Sequence, residues 1–323
     1  MHLIRDTLLA AALLLSCVAM SWGQAYPVRP VRVIVPYAPG GGADVVTRVY
    51  SKAWSESTGQ QFIVDNRAGA NGNIGAELAA KSKPDGYTVL SVANTTVTIN
   101  PSLYRQMPID MIRDLAPVSM MGGQPSVLIV HPALPVKNVK ELAAIARARP
   151  GQLDYASAST GSSSHIAAEL FRMVAKIDIT HVPYKGNGPA MADLLAGHVQ
   201  LMFNNLAPSV PQVKAGRLRA LAVTSEKRSA AAPDVPTMAE AGYPGVVFNL
   251  WVGLLAPSGT PADVIARLNA ETATAAQLRD VRERLLGEGT EPYTTSAARM
   301  GDIIREETAR WAKVVKAANI TPQ

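Results

Sequence analysis

Short β-branched runs alternate with stretches of helical period along most of the chain. Val31-Arg32-Val33-Ile34-Val35 is a short β-branched run closed by a Pro/Gly cluster that begins at Pro36. From Ala43 the period changes, and Val45, Val46, Val49, Tyr50, Ala53 and Trp54 recur on one face of a helix that Gly59 ends. Phe62-Ile63-Val64 reads as a second strand, 74–82 as a second helix, Pro84-Asp85-Gly86 as a turn and 88–92 as a third strand. This β-α-β-α-β order predicts a parallel sheet with helices on both faces.

The middle of the chain repeats the pattern. Strands are predicted over 127–130, 154–158, 179–184, 199–203 and 218–223, and helices over 139–147, 164–175 and 189–196. An apolar strand returns at 248–255 and two long helices follow. Pro261 is expected at the first helical position of one. Met300, Ile303, Ile304, Trp311, Val314 and Val315 form the apolar stripe of the other. Packed back on the first unit, these helices give a discontinuous domain, 26–124 plus 250–323, and a second domain, 125–249. The chain then crosses twice, near 122–126 and 245–250, which makes a hinge with a cleft between the lobes. The expected fold class is α/β and two-lobed, each lobe a mainly parallel sheet flanked by helices.

Composition narrows the function. The 323 residues are 48% hydrophobic and 17% charged, with a net charge of +6, which suits a folded chain with a sizeable core. No run of about five basic residues occurs, which argues against a nucleic-acid partner. Arg5 followed by the apolar stretch 7–20, then Ser21, Gly23 and Ala25 at cleavage spacing, reads as a secretory signal peptide over 1–25, with a buried helix as the alternative. The single cysteine, Cys17, lies within it. Leu14-Leu15-Ser16-Cys17 partly resembles a lipoprotein box, so a lipid anchor is an alternative to simple cleavage. Cleavage beyond Cys17 removes every thiol, and with it disulfides, thiolate zinc sites and a cysteine nucleophile. No later stretch reaches the about 18 apolar residues of a membrane span, so the mature protein is expected to be soluble.

Candidate chemistry concentrates in glycine-rich strand-to-helix loops. The first is Tyr37-Ala38-Pro39-Gly40-Gly41-Gly42-Ala43-Asp44. The second contains Gly69-Ala70-Asn71-Gly72. Helix starts leave N–H groups unpaired and carry a partial positive charge, and glycine lets an anion approach the backbone. Two such loops at one sheet edge would cradle a carboxylate or phosphate; the bland alternative is that the glycines only permit tight turns. Gly-Lys-Ser/Thr is missing after Gly42, and Val45 stands where a dinucleotide fingerprint needs glycine, so a nucleotide fits poorly.

Asn94 and Thr95, after the third strand, join the first-lobe candidates. In the second lobe the candidates are Thr160, Gly161, Ser162, Ser163 and His165, then Tyr184, Lys185 and Gly186, and Asn204 with its neutral amide. Each has a plainer reading. Ser164 could be an N-cap, Lys185 could be solvated, and a histidine at a helix start is more often structural. The G-x-S-x-G elbow of a serine hydrolase is missing from 159–165, and His165 and His181 match no metal spacing. Asp44, Asp65, Asp85 and Asp193 show no pairing suited to acid–base work.

The ordered set VPYAPGGGADVVTR (35–48), NRAGANGNIGAE (66–77), KPDGYT (83–88), STGSSSHIAAELF (159–171), VPYKGNGPAMADLLAGHV (182–199), LRALAVTSEKR (218–228), DVPTMAEAGYPG (234–245) and WVGLLAPSGTP (251–261) resembles the tripartite tricarboxylate transporter substrate-binding proteins, which include the Bug proteins of Bordetella. The resemblance covers nearly the whole mature chain. It implies a periplasmic solute-binding protein of the type II-like, flytrap kind, with small carboxylates as ligands. It also implies membrane permease subunits like TctA and TctB as partners, a monomer, no cofactor, no metal, no nucleic-acid or membrane binding of its own, and no enzymatic activity. In the family the loops matching Tyr37 to Asp44 and Ala68 to Gly72 hold a ligand carboxylate, and those matching Thr160 to His165 and Tyr184 to Gly188 set specificity. Asn71 departs from the usual Gly-Ala-Gly-Gly but tolerates left-handed backbone. Gln200 and Asn204 stand where acids are common, which favours a carboxylate without an amino group. The alternatives are a ligand-sensing subunit of a two-component receptor or a periplasmic hydrolase.

Overall fold

The computed structural model describes residues 26–320; the predicted signal peptide and the alternative anchor at Cys17 lie outside them. The chain adopts the α/β class that its strand–helix alternation predicts. Strand β1 (Val31–Val35) leads to helix α1 (Gly42–Thr58), β2 (Phe62–Asn66), α2 (Asn73–Ala80) and β3 (Thr88–Ala93). A wide helical turn, Thr95–Ile99, runs into α3 (Asn100–Leu103). Then come β4 (Leu115–Val130), α4 (Val139–Ala148), β5 (Asp154–Ser157), α5 (Ser163–Ala175), β6 (Thr180–Pro183), α6 (Asn187–Ala196), β7 (Leu201–Asn205), α7 (Leu206–Lys214) and β8 (Arg219–Val223). Strand β9 (Asn249–Pro257) precedes α8 (Ala262–Ala275), α9 (Arg279–Gly287) and α10 (Ala297–Ala317).

Helices cover both faces of the sheet, so Val31, Val33, Ile34 and Val35 of β1 are fully buried and only Arg32, paired with Asp65, breaks the apolar run. Helix α1 buries Val46, Tyr50, Ala53 and Trp54 on one side. It ends where Gly59 turns left-handed (φ 69°) and donates to the Ser55 carbonyl. Pro261 is the N-cap of α8, with ψ 142°, and the first helical position falls to Ala262.

The strand order is β2-β1-β3-β9-β4-β7-β5-β6, with β8 also on β4. Each half holds a parallel triplet, β2-β1-β3 and β6-β5-β7. The strands joining them are antiparallel, so the sheet as a whole is mixed. Parallel triplets place all their carboxyl ends on one edge.

Strand β9 runs against β3, and β4 against β9, so β4 points the same way as β3 and leaves the first half at its carboxyl edge. Strand β7 runs against β4, so the carboxyl edge of the second triplet points back toward the first. Gly122 is level with Val252, itself level with Ala93 at the end of β3, whereas Ser126 is level with Asn205 at the end of β7. From 122 to 126 the strand spans about 13 Å at ~3.3 Å per residue. The two edges thus face each other across a gap of that order beside β4.

Only the last quarter of β4, 127–130, shows in the hydrophobic pattern. Pro117, Gly122, Gly123 and Pro125 mask the rest, and register shifts near Pro117 and Met120 accommodate them. Gly122 is required by packing: a Cβ there would come within 2.6 Å of Thr290 Cγ2. Beside it, Gly123 exchanges backbone bonds of 2.9 and 2.8 Å with Glu291.

Two segments expected in the first unit send side chains into the core of the second half. Ile99 and Leu103 pack there with Leu170 and Phe171, and so do Trp311, Val314 and Val315 of α10. Met300 and Ile304, earlier on the same helix, pack with Trp251 and Leu90 in the first half. Helix α10 therefore spans both cores. At its middle, Glu307 accepts from Trp251 Nε1 at 3.0 Å, and Arg310 donates to the Val247 carbonyl at 2.7 Å.

Trp311 is 1% exposed and meets Phe248 edge-to-face at 5.2 Å. Trp311→Ala should destabilise the protein by about 3–5 kcal/mol, read as a lower urea midpoint. A change below about 1 kcal/mol would mean that α10 is not integral to the second core.

Candidate functional site

The loop after β1 is braced from within. Asp44, at the third position of α1, is 2% exposed. Its Oδ2 accepts from Gly40 N–H at 2.9 Å and from Arg48 Nε at 2.9 Å, and its Oδ1 from Asn66 Nδ2 at 2.8 Å. Burial alone would raise this carboxyl, but Arg48, the Gly40 N–H and Asn66 outweigh it and hold the group below the usual carboxylate range. Asp44, expected among the ligand contacts, spends its oxygens on the loop. The N–H of Gly40, turned to φ 83°, is committed as well. Gly41 occupies the N-cap and brings no side chain to cover the N–H groups of Gly42, Ala43 and Asp44. Ala38, Pro39, Gly40 and Gly41 are exposed around them.

Gln124 is a residue that sequence reasoning missed. It lies on β4, is 7% exposed, and donates from Nε2 to Thr290 Oγ1 at 2.7 Å. A Cβ at Gly42 would come within 3.2 Å of that amide, so the third glycine of the loop makes room for it. An amide side chain between Gly123 and Pro125, at the expected crossing, was the available signal.

The loop after β2 turns through positive φ at Gly69, Ala70, Asn71 and Gly72. The Asn71 carbonyl accepts from Thr96 Oγ1 at 2.9 Å and Asn100 Nδ2 at 3.0 Å, and its own Nδ2 donates to Asn100 Oδ1 at 2.7 Å. A Cβ on Gly72 would collide with Thr96 Oγ1, so this glycine answers a packing demand. Tyr37 OH meets Thr96 Oγ1 at 2.7 Å and accepts from Ala93 N–H at 3.2 Å. One network therefore ties together both loops and the end of β3, and the Asn71 and Tyr37 side chains are part of it. Asn94 is fully buried behind it, donating to the Asn249 carbonyl at 2.9 Å, and Thr95 is 9% exposed.

On the opposite edge, Ser162 rather than Ser164 caps α5, and Ser164 Oγ accepts from Ala158 N–H at 2.9 Å. Ser159 and Thr160 are exposed; Ser162 and Ser163 are half-buried. His165 is 4% exposed and turned inward, where its Nδ1 accepts from Gly161 N–H at 2.9 Å. Its ring stacks on His181 at 3.9 Å, and His181 on Tyr155 at 4.9 Å. His181 Nε2 lies 2.6 Å from Ser157 Oγ. Burial, then the neighbouring His181 and Arg172, push His165 down to about 3; burial and Arg172 push His181 down to about 4.

Gly186 N–H is spent on the Ala158 carbonyl at 2.7 Å, Tyr184 OH donates to Asp193 at 2.7 Å, and Lys185 is exposed. Asn204 Nδ2 donates to Ser209 Oγ at 3.2 Å, which leaves its buried Oδ1 without a partner. Among the described residues no three His, Cys, Asp or Glu side chains come together as a metal site.

Residues 46–320 match the model of the tripartite tricarboxylate transporter family receptor. The chain is 40% identical to Protein BugT of Bordetella pertussis over 292 residues, 90% of each protein. Among solved structures, Rpa4515 of R. palustris with adipate shares 38% identity at a TM-score of 0.79, over 92% of this chain and 100% of that one. MatC of Rhodopseudomonas palustris with bound malate shares 33% at 0.75, over 90% and 100%.

The two stacked histidines carry a pH signature. Unfolded, each takes up a proton as pH falls through about 6.5; folded, each resists until about 3 to 4. The unfolded state therefore binds more protons across that window, and stability must fall as pH drops from about 6.5 to about 4. His181→Asn should show a shallower decline in unfolding free energy over this range than the parent protein; an equal slope would contradict the assignment.

Proposed function

The chain belongs to the tripartite tricarboxylate transporter receptor family, and on that premise we propose that it captures a small dicarboxylate between the two facing carboxyl edges. It is a solute-binding protein. The observation that carries the ligand class is the facing arrangement itself, with an uncovered helix start at the first edge and hydroxyl-rich backbone at the second. One carboxylate takes N–H groups at the start of α1. The other takes Thr160, Ser163 and the first turn of α5. A donor edge at each side of the gap matches an acid that carries an anion at each end. The adipate and malate held by the two relatives are acids of this kind.

Neutral donors suit capture followed by release. Helix N–H groups stabilise an anion, while a buried cation would lose its own hydration and need a replacement partner whenever the site empties. Closure turns the halves about β4 and β9 near Gly122–Ser126 and Asn249–Leu250. The ligand favours the closed form only through contacts that it makes better there. Ser157 is fully buried beneath its loop, so the Ser157–His181 pair offers no nucleophile to the cleft, and we assign binding without turnover. Export by the 1–25 segment and delivery to permease subunits complete the reading.

A thermal-shift and calorimetry panel should include adipate, malate, succinate and glutarate, with the matching monoamides as controls. At a hundred times its Kd a binder adds about 2.7 kcal/mol, which raises Tm by several degrees. Flat responses to every diacid would refute the ligand class.

Gly41 has φ −73° and ψ 161°, and a Cβ there would meet only the Ala38 carbonyl at 3.6 Å. Gly41→Asp therefore folds normally and gains a cap, while its carboxylate occupies the free N–H groups. Tm should hold or rise slightly, and diacid affinity should fall at least about tenfold. Unchanged affinity would remove the first loop from the site.

A further inference from the structure

Both carboxyl edges carry the same local device. At the first, the third residue of α1, Asp44, reaches back and accepts the N–H of Gly40, the residue before the N-cap, at 2.9 Å with that glycine at φ 83°. At the second, the third residue of α5, His165, reaches back and accepts the N–H of Gly161, again the residue before the N-cap, at 2.9 Å with that glycine at φ 78°. The pattern resembles a capping box moved back by one residue. We propose that His165 is a positioning residue for ligand capture: its unprotonated Nδ1 holds Gly161 and so fixes the Thr160 hydroxyl and the start of α5 at the cleft, the role Asp44 plays on the opposite edge. This deepens the capture reading and rests on it.

The neighbouring N–H groups of the loop find partners nearer at hand. Ala158 N–H goes to Ser164, Ser159 N–H to Ser162 Oγ and Ser162 N–H to the Ser159 carbonyl. Gly161 N–H is the one that needs a side chain from deeper in the helix. A residue with a Cβ at 161 would be strained at φ 78° and would push Leu103 Cδ1 aside. The ring is held in plane by His181, which Ser157 fixes in turn. Ser157 Oγ donates to the Ser159 carbonyl at 3.1 Å and so accepts from His181 Nε2–H.

With Nδ1 accepting, the proton of His165 sits on Nε2, 3.9 Å from Glu169 Oε1. The groups facing the ring are His181 from β6, Tyr155 from β5, and Glu169 and Arg172 from its own helix. Glu169 is taken by Tyr155 OH and Arg172. A proton on Nδ1 would set one N–H against another and free the loop.

The test compares the parent protein with His165→Ala and His165→Asn, whose Oδ1 can stand where Nδ1 does. Nitrogen NMR of the parent should show His165 as the Nε2–H tautomer at neutral pH. Gly161 N–H should exchange slowly in the parent and in His165→Asn, and at open-loop rates in His165→Ala. Adipate and malate affinity should fall about tenfold in His165→Ala and return to within about threefold of the parent in His165→Asn. An Nδ1–H tautomer, a Gly161 N–H equally protected in all three proteins, or parental affinity in His165→Ala would overturn the proposal. Should the alanine variant not fold, the tautomer and the asparagine variant decide alone. If the parent binds neither diacid, the capture reading fails, and the exchange measurement still settles what His165 holds.

Discussion

Strand β4 is hydrogen-bonded to β9 through residues 115–125 and to β7 through 126–130, and both partners run against it. That pairing decides where every other functional group stands. Had β7 run with β4, the second triplet would turn its carboxyl ends outward and its loops would look away from the first. With the observed directions, six strand-to-helix loops converge from two sides on one gap. The glycines, the helix starts and the hydroxyls matter only because the ladder has already aimed them.

Few fixed charges are spent on that gap. Asp44 is turned inward and neutralised by Arg48, Lys185 is exposed, and His165 and His181 are held neutral chiefly by burial. What remains is peptide dipole and hydroxyl. The loops are correspondingly stiff: Tyr37, Thr96, Asn71 and Asn100 form one hydrogen-bonded chain behind the first edge, and Tyr155, His181 and His165 form a stack behind the second. Preorganised donors lose little entropy when an anion arrives, which offsets the absence of a countercharge.

The strand–helix alternation, the two glycine loops and their placement at helix starts were legible because each has a local cause: period, β-branching, and turns that glycine alone enters easily. The length of β4 was not, because its prolines and paired glycines answer to Thr290 and Glu291, distant in sequence. The path of α10 was hidden for a similar reason. Its stripe is continuous, and nothing local says that Met300 and Trp311 meet different cores. Among the candidate site residues, local pattern marked the loops but could not distinguish side chains that face the gap from those that brace it. Asp44, Asn71, Asn94 and His165 have the right chemistry for ligand contact and are turned into the scaffold. Gln124 was passed over because a lone amide at the crossing has no motif.

Helix α10 is seated in one core through Met300 and Ile304 and in the other through Trp311, Val314 and Val315. A hydrogen-bonded rod anchored at both ends cannot stretch, so rotation of one half against the other must leave distances along it nearly constant. Displacement is then smallest beside Glu307 and grows with distance from it. The same rod resists twisting, which restricts the halves to something close to a single degree of freedom and spares the molecule a wide ensemble of misaligned openings.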